Sequence, residues 1–214
     1  MTISQNRIYN LYQNLYKKYG RPDKYWPDWC SKNKTLRQRE IILIGAILTQ
    51  RTSWHNAEMA LRNLEKSRLL SLTKLAKVRE SALIKLVRVA GFYTTKPKRI
   101  IQLSKFLVNN YGSLNSFLKE NQSLSRGKLL SSYGIGPETA DAILLYACNK
   151  PSFVIDEYTK RLVKKHRLAK RFDYDFLKHL FEKNLPKSCK IYQDFHALII
   201  IDQRGPEKST MAKF

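Results

Sequence analysis

Leu129-Leu130-Ser131-Ser132-Tyr133-Gly134-Ile135-Gly136-Pro137-Glu138-Thr139-Ala140-Asp141-Ala142 is the stretch whose reading decides the fold. It reads as a helix, a tight turn holding two glycines, and a second helix. Gly134 and Gly136 let the backbone come close to another group, and Pro137 presets the first helical turn that follows. Exposed amides at such a helix start make a phosphate site. A plain turn between helices would use the same residues, so the stretch fixes an α-hairpin without fixing its use.

Working outward, apolar positions recur at helical spacing almost everywhere, and no period-two strand of useful length is present. The chain is expected to be all-α. Thr35-Leu36-Arg37-Gln38 reads as a capping box opening a helix through Gln50, apolar nearly all round from Ile41 and therefore central and buried. Ser53 caps a helix to about Lys66; shorter helices follow at Leu72–Lys77 and Glu80–Ala90, the latter stopped by Gly91 in a left-handed position. Thr95-Lys96-Pro97 opens another helix, with proline in its first turn, running to about Asn110, and Ser113, Asp173 and Ser188 are further starts. No Gly/Ser/Pro-rich linker and no internal repeat separates the parts, so a second lobe would be interleaved with the first.

The charge is one-sided. Forty Lys and Arg face 17 Asp and Glu, a net +23 over 214 residues. With 43% apolar residues, 8 Gly and 7 Pro, the chain can bury a core, so disorder and collagen-like sequence are excluded and the charge belongs to a folded body. A polyanion is the natural partner, since phosphate contacts release counterions; a Lys-rich genomic bias is the plainer explanation. The longest apolar run, Ile41 to Leu48, is far short of the ~20 residues of a membrane span, and MTISQNRIYNLYQNLYKKYG alternates polar and aromatic residues without the apolar core of a secretory signal. An intracellular, cytoplasmic protein with no membrane partner is expected. Cys30, Cys148 and Cys189 are odd in number and widely spaced, which argues against a disulfide framework, a zinc ribbon or an iron–sulfur cluster.

The motif Leu-x-x-Tyr-Gly-Ile-Gly-Pro-Glu-Thr-Ala-Asp, followed by Phe153-Val154-Ile155-Asp156, resembles the helix-hairpin-helix and aspartate of the endonuclease III-like DNA glycosylases. Ile44-Gly45-Ala46-Ile47-Leu48-Thr49-Gln50 with Trp54, Gly91-Phe92-Tyr93 with Lys96 and Lys98-Arg99, and Tyr192-Gln193-Asp194-Phe195-His196-Ala197-Leu198-Ile199 extend the resemblance over roughly residues 25 to 204. Glu138 and the Tyr25-Trp26-Pro27 cluster look most like the 3-methyladenine DNA glycosylase III branch. The resemblance implies a six-helix barrel lobe at 34–148, with its hairpin at about 124–148, and a second lobe from 1–33 and 149–214. It places a damaged base from double-stranded DNA in the cleft between them, and a monomer is expected.

The same resemblance assigns the essential carboxylate to Asp156. Cleavage of a glycosidic bond develops an oxocarbenium-like cation that a fixed carboxylate stabilises, while the plainer reading of Asp156 is a helix N-cap worth ~1 kcal/mol. Glu138 stands where bifunctional relatives carry a lysine nucleophile, and a carboxylate forms no Schiff base, so a monofunctional hydrolase is implied; alternatively Glu138 only complements the helix dipole. Tyr25, Trp26 and Trp54 match aromatics near the base pocket, where π-faces favour a cationic alkylpurine, although aromatics beside helices are usually core. Gln50 matches the residue that fills the gap left by the extruded base, or else is a buried amide at a helix end. Phe92 and Tyr93 match the intercalating loop. Lys96, Lys98 and Arg99 suit phosphate contacts or a solvated basic face, and Gly134, Gly136 and Thr139 belong to the DNA-binding hairpin.

The chain departs from many relatives in its C-terminus. Asp202–Phe214 has no cysteine where they carry a four-cysteine iron–sulfur loop, so no cluster and no other metal is expected, with a monovalent cation on the Tyr133–Gly136 carbonyls left open and the tail RGPEKSTMAKF expected to be mobile. The reading is thus a DNA glycosylase for an alkylated purine. Its alternatives are a glycosylase for an oxidised or deaminated base and a non-catalytic helix-hairpin-helix binder, which would have no need of Asp156.

Overall fold

The computed structural model describes residues 6–211 and Phe214, and among them every regular element is helical. The all-α expectation is borne out. In chain order the α-helices are α1 (Arg7–Tyr19), α2 (Leu36–Leu48), α3 (Trp54–Lys66), α4 (Leu72–Leu75), α5 (Glu80–Val87), α6 (Thr95–Tyr111), α7 (Leu114–Lys119) and α8 (Gln122–Leu130), then α9 (Pro137–Ala142), α10 (Glu157–Lys165), α11 (Tyr174–Asn184), α12 (Cys189–Arg204) and α13 (Pro206–Ser209). No described helix is long and apolar enough to cross a membrane.

Local chemistry starts these helices where the sequence places the starts. Thr35 and Gln38 form the reciprocal capping box, and Ser53, Ser113, Asp156, Asp173 and Ser188 each accept a backbone N–H of the first turn. Gly91 takes the expected left-handed conformation at φ 70°. The N-terminal stretch, read as alternating polar and aromatic residues, is the helix α1, capped by Asn6 and burying Ile8 and Leu15. After α9 the helix continues directly as a π-helical turn, Ile143–Ala147, all five residues buried. That widened turn has no signature in an unbroken apolar run.

Two compact units divide the chain, one of residues 33–148 with Phe214, the other of residues 1–32 and 149–213. The first is organised on α2, whose residues Ile41 to Leu48 are all buried, as expected of a helix apolar on every side. At ~1.5–3 kcal/mol for each buried Leu or Ile side chain, this segment is the main anchor of the unit. The second unit is organised on α12, where Tyr192 to Ile201 is an unbroken buried run. Phe153 stacks on Phe181 with centroids 4.6 Å apart and meets Tyr192 edge-on at 5.5 Å, so an aromatic cluster fixes the segment leading into α10.

The C-terminal tail, expected to be mobile, packs onto the protein where it is described. α13 buries Ser209, Met211 is 8% exposed, the Met211 amide donates to the Tyr25 carbonyl at 2.7 Å, and the Trp26 Nε1–H donates to the Ser209 carbonyl at 2.8 Å. A buried indole N–H needs an acceptor, and this tail supplies it. Ala212 and Lys213 lie outside the described residues.

Candidate functional site

Two clusters carry the chemistry, one in each unit. In the unit of residues 1–32 and 149–213, the buried extended segment Phe153-Val154-Ile155 delivers Asp156 to the N-cap of α10. Asp156 Oδ1 accepts from the Thr159 amide at 2.7 Å, and Oδ2 stands 3.5 Å from His196 Nε2. The carboxylate side chain is 13% exposed, so one edge still reaches solvent. Burial pushes its pKa up, but the His196 imidazole and the Thr159 amide and hydroxyl outweigh this and hold it below the usual carboxylate value. Asp156 is therefore an anion at neutral pH, and the cap and the charge coexist in one side chain.

His196 projects from α12 and is 5% exposed, with Trp26 at 6.4 Å and Phe153 at 6.5 Å between ring centroids. Sequence reasoning does not single it out. The available signal is that it is the one imidazole inside the 192–199 segment that carries part of the resemblance. Trp26 thus sits against His196 on one side and the tail carbonyl of Ser209 on its indole N–H. Tyr25, its neighbour, is only half-buried and carries the Lys24 ammonium 5.1 Å from its ring centroid, which shows a π-face able to receive a cation.

In the unit of residues 33–148 the hairpin runs α8, turn, α9. Arg126 on α8 grips Asp141 on α9 in a two-pronged ion pair, Nε–Oδ1 2.8 Å and Nη2–Oδ2 3.1 Å, with Asp141 fully buried. Gly134 has φ +74°, and a Cβ there would stand 2.6 Å from Arg99 Cδ, so the turn needs glycine both for its conformation and for its closeness to α6. Gly136 is the N-cap of α9 and brings no side-chain acceptor of its own, with Pro137 in the first turn. Glu138 is exposed in that turn, on the favourable side of the helix dipole.

Several residues read from sequence as DNA contacts are occupied elsewhere. Gln50 Nε2 donates to the Gly134 carbonyl at 3.2 Å and to the Thr139 hydroxyl at 2.9 Å, while its Oε1 accepts from Arg99 Nη1. Gln50 is half-buried, and its amide is engaged at the helix end, the second of the two roles read for it from sequence. Thr139 is 8% exposed with its hydroxyl engaged by Gln50, so its side chain is structural too. Lys96 is corrected most sharply. Its side chain is fully buried, and Nζ donates to the carbonyls of Leu48 and Ala90, both at 2.7 Å, so it reaches no phosphate. Burial and the neighbouring Arg99 lower its pKa to about 8. Trp54, read from sequence as a base-pocket aromatic, is 7% exposed and its indole donates to Glu58 at 3.0 Å.

Phe92 and Tyr93 do stand out, 51% and 45% exposed, and Phe92 adopts φ +46°. A non-glycine residue in that region stores ~1–2 kcal/mol, a cost met by surrounding structure and often found where function is. Lys98 is exposed beside them.

A model of the HhH-GPD superfamily of base excision DNA repair proteins matches residues 44–187, a span that holds the hairpin, the exposed aromatics and Asp156. The chain belongs to this superfamily. A candidate DNA repair glycosylase of Methanocaldococcus jannaschii is 43% identical to it over 196 residues, 90% of this chain and 85% of the relative. Endonuclease III of Thermotoga maritima is 31% identical over 121 residues, 56% of this chain and 53% of that protein. Among solved structures, H. pylori 3-methyladenine DNA glycosylase bound to 1,N6-ethenoadenine superposes with a TM-score of 0.79 at 31% identity, covering 92% of this chain and 97% of that one. The resemblance to endonuclease III-like DNA glycosylases is borne out, and this superfamily member takes its place among them.

Proposed function

We propose that this chain is a monofunctional glycosylase that extrudes an alkylated purine from double-stranded DNA and hydrolyses its N-glycosidic bond. The observation that carries the reading is Asp156: a carboxylate held anionic at the start of α10, with one edge exposed. Extrusion exposes the bond, departure of the base leaves positive charge on the sugar, and a fixed anion stabilises that charge and orients an attacking water. A cationic alkylpurine is already a good leaving group, so the site needs selection more than acid. The Tyr25 face favours a cation, as the Lys24 ammonium over it illustrates. The 3-methyladenine named for the H. pylori structure supports this choice of lesion.

Glu138 supports the monofunctional part, because a carboxylate cannot take the place of an amine in a Schiff base. Phe92 and Tyr93 would wedge the opened stack, and the α9 start with Lys98 would hold phosphates. Nothing in the donor set fits a four-thiolate cluster. The chain has three cysteines in all, two of them buried, so the iron–sulfur loop of many relatives has no counterpart. A monomer, with or without a monovalent cation on the 133–136 carbonyls, completes the proposal.

Incubation with methylated DNA is expected to release free 3-methyladenine and to leave abasic sites that break only when alkali is added, with no covalent complex trapped by borohydride. Release of oxidised or deaminated bases instead would move the substrate. Binding without release of any base would make the chain a binder, and efficient trapping would show that another lysine serves as nucleophile. A second expectation concerns affinity. Lys98→Ala should lower the log–log salt slope for undamaged duplex by about 0.9, the share of one phosphate contact, and an unchanged slope would return Lys98 to a merely solvated face.

A further inference from the structure

Three side chains that the sequence offers to DNA are joined inside the unit of residues 33–148. Lys96 and Arg99 lie three residues apart on the first turns of α6, on neighbouring positions of one face. Lys96 ties the end of α2, at the Leu48 carbonyl, to the Ala90 carbonyl, which directly precedes Gly91 and Phe92. Arg99 engages Gln50, and Gln50 reaches the hairpin at Gly134 and Thr139. The Phe92 carbonyl accepts from the amides of Thr95 and Lys96 at 3.0 and 2.9 Å, and the Lys96 ammonium lies 5.8 Å from the Phe92 ring centroid. A buried lysine is costly unless its donors are used, and shortening it would take the amine away from both carbonyls at once.

We infer that Lys96 is a positioning residue for base extrusion: it never meets DNA, and it holds the exposed Phe92–Tyr93 loop at a fixed offset from the hairpin through the brace Lys96, α2 end, Gln50 and Arg99. This rests on the reading of Phe92 as the wedge. A wedge acts only if it enters the stack while the hairpin grips the backbone, so the spacing between the two is as important as either. Phe92 alone is strained and half-exposed, and without the tie at Ala90 its loop has a lower-energy backbone to relax into.

The test compares the wild type, Phe92→Ala and Lys96→Met on two substrates, one alkylpurine paired in a duplex and the same strand opposite a non-complementary trinucleotide that leaves the base unstacked. Lys96→Met is expected to lower single-turnover excision about 10–100-fold on the paired lesion, the scale of one lost stacking contact, and less than about 3-fold on the unpaired one. The double variant should be no worse than Phe92→Ala, because both changes disable one device. An independent readout is 2-aminopurine fluorescence beside a tetrahydrofuran site, where the unstacking signal of the wild type should fall in both single variants. Equal losses on both substrates, or additive losses in the double variant, would overturn the role of Lys96. No effect of Phe92→Ala in either readout would instead remove the wedge reading beneath it. Lys96→Gln, which keeps two N–H donors, is held to the same comparison if the methionine variant does not fold.

Discussion

Asp156→Asn is expected to lower single-turnover release of the damaged base by about 10²–10³-fold or more, with the fold and the binding of undamaged DNA retained. The geometry explains why so conservative a change is severe. Asn keeps an oxygen for the Thr159 amide, and Asn and Asp cap helices about equally well, so α10 keeps its start. What disappears is the charge on the edge that stays exposed, the edge that would face a developing sugar cation. The His196 imidazole also loses its anionic partner, which costs some stability; because the folded-state pKa of Asp156 is depressed, that contribution is present at neutral pH in the wild type and fades as pH falls through the acid range. A melting curve should move by only a few degrees. Excision within a few-fold of wild type would reduce Asp156 to a cap and remove the centre of the proposed function.

Arg126→Ala is expected to be the most damaging single change to the hairpin, and it should act on stability. Asp141 is fully buried, and Arg126→Ala takes away the two-pronged cationic partner of that carboxylate. Breaking buried pairs costs about 3–5 kcal/mol. Arg126 is a quarter exposed, which moves the expectation to the lower end, ~3 kcal/mol, or a fall in Tm of ~6–12 °C for a chain of this size. Taking the charge away as well, in Arg126→Ala with Asp141→Asn, should recover part of the loss, since the buried side chain then carries no charge. A single variant that melts with the wild type would show that water or another group compensates Asp141.

The two predictions differ in how far the sequence alone leads to them. The N-caps at Thr35, Ser53, Ser113, Asp156, Asp173 and Ser188 are legible because a cap is decided by residues within one turn of itself. Asp156 is legible twice over, as a cap and as part of the superfamily motif. Lys96 is not legible, because a lysine beside an exposed loop looks solvated until the Leu48 carbonyl, 48 positions earlier in the chain, is placed over its amine. Gln50 hides for the same reason, its partners Gly134 and Thr139 lying 84 and 89 positions away. His196 escapes notice because a buried ring on an apolar helix is ordinary packing until Asp156 arrives beside it. Local chemistry writes itself into neighbouring letters, whereas a tertiary hydrogen bond does not.

The division of the chain also sets an order of events. Residues 33–148 are contiguous, so that unit can collapse from local helix pairs as soon as it has been synthesised, the fast route for helical chains. The other unit is written in two instalments, residues 1–32 and 149–213, and waits for the second. Its two segments are joined by, among other bonds, the Asn149 side-chain amide donating to the Lys32 carbonyl at 3.3 Å. His196 and the tail residues that seat Trp26 and Tyr25 are synthesised after the whole of the continuous unit. A nascent chain therefore owns its hairpin well before it owns a completed Asp156–His196 pair, and a protein truncated before α12 would keep the α8–α9 hairpin but lack the histidine beside its Asp156 carboxylate.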